Sequence, residues 1–178
     1  MPQSALIVRV PEAESYVSHY REQYDSSAKL GVPAHITVLY PFIPPELITS
    51  SIIEEVQAAV SCVTAFAFQL AKVGRFPGVV YLAPEPSDPF VSLTRAVAHA
   101  FPDYPPYRGQ YAGTVPHLTA AQTAEPEQSA VAAELHKLLE NSGSIVSSCD
   151  ELVLIENSTG RWEQMHVFSL APSRPADA

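Results

Sequence analysis

His35-Ile36-Thr37-Val38 and His117-Leu118-Thr119-Ala120 are two spellings of one phrase, the first behind Val32-Pro33-Ala34 and the second behind Val115-Pro116. Each lies in an apolar, strand-like run. Because side chains alternate along a strand with period two, His and Thr of each copy project from one face, while Ile36/Val38 or Leu118/Ala120 project from the other. Random placement of six His and eight Thr in 178 residues gives about a quarter of one His-x-Thr pair per chain. Two copies, both with aliphatic flanks, mark a repeated element.

The segments around each copy repeat as well. Residues 5–10 (Ala-Leu-Ile-Val-Arg-Val) read as a strand closed by Pro11, and acids at Glu12 and Glu14 open a helix to about residue 24. A Ser/Gly/Pro-rich loop, 26–33, delivers the chain into strand 35–42, and prolines 41, 44 and 45 stop it before a helix over 45–63. Ile48, Ile52, Ile53, Val56, Ala59 and Val60 give that helix an apolar face. Strands 66–73 and 79–83 flank a Gly-Arg-Phe-Pro-Gly turn, 74–78. From there the order replays: strand 79–83, helix 89–101, strand 115–123, helix 125–140, strand 148–155. A shift of about 75 to 82 residues exceeds any short solenoid period and indicates an internal duplication. Residues 158–160 turn into a closing strand, 162–171, and 173–178 form a frayed tail.

The expected fold is α/β, in the α+β sense. One domain over 1–172 is built from two duplicated halves, 4–76 and 79–171, related by a pseudo-twofold axis that turns the His/Thr faces of both copies toward a central groove.

Composition narrows the partners. Nineteen acids against ten bases give a net charge of −9, which opposes long nucleic acid, whose binding draws on basic patches. A small phosphate ligand needs only a few local donors. The start of the chain carries no basic segment followed by a sustained apolar run, and no apolar stretch approaches a membrane span, so no membrane partner is expected. Cys62 and Cys149 form no Cys-x-x-Cys frame and argue against a disulfide framework or zinc ribbon. A cytoplasmic monomer is the simplest reading.

In a shared groove, one neutral imidazole takes a proton from an attacking water or hydroxyl while the other, as imidazolium, protonates a leaving oxygen. The Thr hydroxyls hold non-bridging phosphate oxygens as charge grows on them. No metal or other cofactor is called for, since no carboxylate or Cys sits at ligand spacing beside either His. The chemistry suits phosphodiester cleavage.

The paired motifs, the run Val-Pro-Ala-His-Ile-Thr-Val-Leu-Tyr-Pro-Phe (32–42) and the segment Gly-Arg-Phe-Pro-Gly-Val-Val-Tyr-Leu (74–82) resemble, in order and over nearly the whole chain, the 2H phosphoesterase superfamily. That group contains 2'-5' RNA ligase-like proteins and RNA 2',3'-cyclic phosphodiesterases. The resemblance implies a bilobal fold with antiparallel sheets lining the groove and helices outside, His35 and His117 catalytic, and Thr37 and Thr119 gripping phosphate. It also implies hydrolysis of 2',3'-cyclic phosphate termini or small cyclic or 2'-5'-linked nucleotides. The second motif departs by ending in the small Ala120. Ala121-Gln122-Thr123 follows it where some RNA-acting members carry a basic residue, which weakens the 2'-5' RNA ligase alternative.

Secondary candidates surround the motifs. The irregular segment 101–116 holds Tyr104, Tyr107, Arg108 and Tyr111, able to stack on a base or touch phosphate, or else to pack as a proline-stiffened loop. Arg75 and Phe76 in the 74–78 turn are further substrate-contact candidates, with Phe76 able instead to plug the lobe junction. Alternation from His35 sends Tyr40 into the core. His19, His99 and His136 fall on predicted helices and read as surface residues. A second class of function, a nucleotide or RNA-end binding module without turnover, uses the same groove.

Overall fold

The computed structural model describes residues 1–110 and 113–173. Its elements run β1 (Ser4–Arg9), α1 (Glu14–Tyr24), a single turn α2 (Ser26–Lys29), β2 (His35–Leu39), α3 (Ser50–Val60), β3 (Phe66–Phe76) and β4 (Val79–Glu85). They continue with α4 (Asp88–Ala100), β5 (Leu118–Gln122), α5 (Glu127–Ser142), β6 (Ile145–Cys149), β7 (Glu151–Glu156) and β8 (Glu163–Ser169). All eight strands form one antiparallel sheet in the order β6-β3-β4-β5-β2-β1-β7-β8. Its centre is thin: β2 meets β5 through the single pair Ile36↔Leu118.

Four strands lie on each side of that contact, and the equivalences run outward as β2/β5, β1/β4, β7/β3 and β8/β6. The sheet halves are therefore not the contiguous stretches 4–76 and 79–171. β3, from the first stretch, joins β4 and β6, while β7, from the second, joins β1 and carries β8 on its outer edge. The cause is local: only Pro77 and Gly78 separate β3 from β4, with Gly78 at φ +76°, and so short a connection forces the two strands to pair. The helices are exchanged too, α1 packing on β5 and α4 on β2.

One face of the sheet is apolar and covered. Leu6, Val8, Ile36, Val38, Leu82, Leu118 and Ala120 are buried there with Val17, Leu93, Val97 and Leu135 from the helices. The His/Thr positions lie on the opposite face.

Several element boundaries differ from the sequence reading. The helix expected over 45–63 starts at Ser50, because the Thr49 hydroxyl accepts the Ile52 N–H as an N-cap. The supposed loop 26–33 opens with a helical turn capped by Asp25. Residues 74–76 are strand, not turn: Gly74, Arg75 and Phe76 pair with Tyr81, Val80 and Val79. The strand expected over 148–155 is two strands broken at Asp150. β6 alternates buried and exposed beside β3, whereas the apolar Leu152–Ile155 run lies inside the sheet beside β1.

Both motif strands carry the same register shift. Between β1 and β2 the register steps from Ile7↔Thr37 to Leu6↔Leu39, and between β4 and β5 from Tyr81↔Thr119 to Val80↔Ala121. Val38 and Ala120, the last residues of the two motifs, are the extra residues, and each inverts the strand's alternation beyond it.

Candidate active site

The two histidines are held in the same way. His35 Nδ1 lies 2.8 Å from the Pro33 carbonyl oxygen and His117 Nδ1 2.7 Å from that of Val115, two residues back in each case. A carbonyl oxygen only accepts, so each neutral ring carries its proton on Nδ1 and keeps the Nε2 lone pair free. The approach to His35 is braced further: the Ala34 N–H donates to Glu14 Oε1 at 2.6 Å, and the Ala34 carbonyl accepts from the Val10 N–H. His117 sits just ahead of β5 rather than in it.

Both rings, with Thr37 and Thr119, line one groove of about 450 Å³. Burial is the main force on their proton affinity, since a half-buried imidazolium loses hydration. It draws His35 down to about 4 despite the opposing carbonyl bond, with the nearby Arg21 cation adding to the effect and Asp25 opposing it. His117 is lowered as well, again chiefly by desolvation against the Val115 bond. Neither Thr hydroxyl is engaged by another described residue, so both are available to a ligand.

No Lys or Arg lines this groove among the described residues. Arg21, whose charge is felt by His35, is buried and spent on Asp25 (3.1 Å), the Val32 carbonyl (3.0 Å) and the Ser27 hydroxyl. Asp25 in turn accepts from the Ser27 N–H and hydroxyl. This pair staples the 25–33 segment whose end supplies the carbonyl that orients His35. Apart from the two imidazoles, the donors this lining offers an anion are neutral.

Aromatic rings flank His117. Phe76 meets it edge-to-face at 5.2 Å, Tyr81 lies 5.4 Å away, and Phe76 and Tyr81 stack on each other at 4.4 Å. Tyr81 reaches this position across Gly74, where a Cβ would overlap its ring. The equivalent of Tyr81 beside Thr37 is Ile7, so the two ends of the groove differ in kind.

The structure thus unites His35, His117, Thr37 and Thr119 in one groove with Tyr107, and sets Phe76 against His117. It separates the two arginines from them. Arg75 projects to α5, where its Nη1 donates to the Ser129 hydroxyl at 3.0 Å and pairs with Glu125 at 3.5 Å. Arg108 is exposed in a neighbouring cleft with Tyr104, Asp103 and Glu46. Tyr107 and Arg108 both have positive φ, 51° and 56°, and the Tyr107 N–H donates to the Tyr40 carbonyl. Tyr104 packs on Phe42, and Tyr111 lies outside the described residues. His19, His99 and His136 are exposed on their helices.

Tyr40 corrects a sequence expectation. The register shift at Val38 buries both Val38 and Leu39, so Tyr40 returns to the groove face and lines the site instead of entering the helix-side core. Gln122 does the same beyond Ala120. Sequence reasoning also missed Tyr81, Trp162, Gln3 and Asn157. The first could have been found by pairing Thr119 with a residue of 79–83, had the register been known.

A model of the 2'-5' RNA ligase superfamily matches residues 9–161. Among solved structures, E. coli LigT complexed with 3'-AMP aligns with a TM-score of 0.62 at 14% identity, over 96% of this chain and 99% of that chain. TT0787 of Thermus thermophilus aligns at 0.60 and 14% identity, over 97% and 100%. A conserved protein of unknown function from Agrobacterium tumefaciens, ATU0111, aligns at 0.52 and 16%, over 94% and 86%. At such identities the likeness is one of fold. No curated protein sequence matches the chain.

Proposed function

Because the chain belongs to the 2'-5' RNA ligase superfamily of 2H phosphoesterases, we propose that it is a phosphodiesterase that opens 2',3'-cyclic phosphates or cleaves small 2'-5'-linked nucleotides by paired-histidine acid–base catalysis. The observation that carries this reading is the duplicated tautomer lock: two imidazoles with Nδ1–H tied back and Nε2 unengaged, each beside an unengaged Thr hydroxyl.

One Nε2 takes a proton from water as its oxygen bonds to phosphorus; the other, protonated, gives its proton to the ribose oxygen as the P–O bond breaks. A nucleoside monophosphate results. Thr37 and Thr119 hold the non-bridging oxygens. Burial keeps His35 neutral more firmly than His117, which favours His35 as base and His117 as acid. Neutral phosphate donors suit a singly charged diester better than a doubly charged monoester.

The test is incubation with the four 2',3'-cyclic nucleotides and a 2'-5'-linked dinucleotide in excess EDTA, with products resolved by chromatography. Hydrolysis to a single monophosphate regioisomer is expected. Tight binding without product, activity abolished by the chelator, or joining of cleaved RNA halves without hydrolysis overturns the reading.

A further inference from the structure

The end of the groove beyond His35 has no role in the chemistry above, yet it is a built surface. Ala5, Ile7, Val32 and Ile155 form an apolar floor on which Tyr40 and Trp162 pack edge-to-face at 6.3 Å. Trp162 is held at its backbone, whose N–H donates to the Leu30 carbonyl at 2.8 Å, and its ring is only half-buried. The Tyr40 hydroxyl donates to Gln3 Oε1 at 2.8 Å.

Asn157 closes this end, and its orientation is fixed. The Gln3 main-chain N–H, which can only donate, lies 2.6 Å from Asn157 Oδ1, and the Asn157 N–H donates back to the Gln3 carbonyl at 3.1 Å. The amide oxygen is thereby used, leaving the Nδ2 group, unpartnered among the described residues, as what Asn157 offers the groove. An Asn with a free amide grips adenine by accepting from N6 and donating to N7. With Oδ1 already accepting from the Gln3 N–H, Asn157 meets a base chiefly as a donor.

We propose that the Tyr40–Trp162 end is a nucleobase subsite that stacks the base on Trp162 and, through the Asn157 amide N–H, reads the group at purine C6 or pyrimidine C4, selecting guanine (O6) and uracil (O4) over adenine and cytosine, which carry amino donors there. Aromatic stacking is indifferent to base identity, so it supplies affinity; the Asn157 donor supplies the choice. The subsite deepens the phosphodiesterase reading and rests on it: the base it takes belongs to the nucleoside whose cyclic phosphate the two Thr hydroxyls hold.

Trp162 is the only tryptophan of the chain and reports on its own site. Titration of the wild-type protein with the 3'-monophosphates of guanosine, uridine, adenosine and cytidine, which contain no diester to cleave, is followed by tryptophan fluorescence. Saturable quenching is expected from all four, with Kd at least fivefold lower for guanosine and uridine. In Asn157→Asp the Oδ1 contact to Gln3 is kept and an acceptor replaces the donor, so the preference reverses toward adenosine and cytidine. Equal Kd values for the four in the wild type, an adenosine or cytidine preference there, or a ratio unchanged in a folded Asn157→Asp protein overturns the subsite. The two readings fail separately. Base-blind turnover of cyclic nucleotides with no fluorescence change removes the subsite and leaves the phosphodiesterase, whereas base-selective quenching without turnover does the reverse.

Discussion

His35 and His117 each donate an Nδ1 proton to a carbonyl two residues back, and a short polar link of this kind lets a strand end aim a ring without a carboxylate partner. Acid–base catalysis needs one ring neutral and its fellow protonated, a form most populated between the two proton affinities of the pair. Burial puts one of these near 4 and the other below the ordinary 6.5. The profile of kcat/KM against pH on a 2',3'-cyclic nucleotide is therefore a bell whose falling limb lies below pH 6.5. An optimum at pH 7.5 or above contradicts it. At this scale the sequence was informative: strand alternation alone places His35 with Thr37 and His117 with Thr119. It failed at Tyr40 and Gln122, because the phase inversion at Val38 and Ala120 depends on a neighbouring strand's register, which no single segment records.

Among elements, β3 shows why a glycine in a strand need not be a turn. Gly74 is paired within the sheet, and its missing side chain is the room that Tyr81 occupies on its way to His117. Gly74→Ala pushes the Tyr81 ring off that path. A drop in kcat/KM of about tenfold or more is expected, with a stability loss of about 1–3 kcal/mol by urea unfolding; wild-type kinetics in the variant refutes the positioning role. The loop between α1 and β2 gives the opposite case, in which polar groups do the holding. Asp25→Ala strands the buried Arg21 charge and frees the segment that carries the Pro33 carbonyl. A loss of about 3–5 kcal/mol is expected in denaturant titration, and a loss below about 1 kcal/mol shows that the pair is not needed. Neither role was readable from the sequence. Arg21 and Asp25 lie one helical turn apart and look like an ordinary surface pair; only the packing of 25–33 over them makes them buried.

For the whole molecule, two histidines kept neutral by burial link folding to pH. The native state binds fewer protons than the unfolded chain between about pH 6.5 and 4, so stability is full above that window and falls as pH falls through it. His35 alone contributes a loss of roughly 2 kcal/mol at pH 5. Thermal unfolding at pH 7.5 and pH 5 should show a lower Tm at pH 5 and a smaller difference in His35→Leu; a higher Tm at pH 5 refutes it. The duplicated order of strands was legible because hydrophobic period and turn residues are local. The exchange of β3 and β7 between the sheet halves was not, since which strands pair is settled by loop lengths and by contacts between distant segments. Trp162 and Asn157 reach the groove through that exchange. The central claim is that the two histidines form a single acid–base unit. It is tested most directly by steady-state kcat on a 2',3'-cyclic nucleotide for His35→Ala, His117→Ala and the double variant, all shown to be folded. Each single substitution should cost about 10³-fold or more, and the double no more than tenfold beyond the worse single, as expected of groups acting together. A single variant within tenfold of wild type, or losses that multiply in the double, contradicts it.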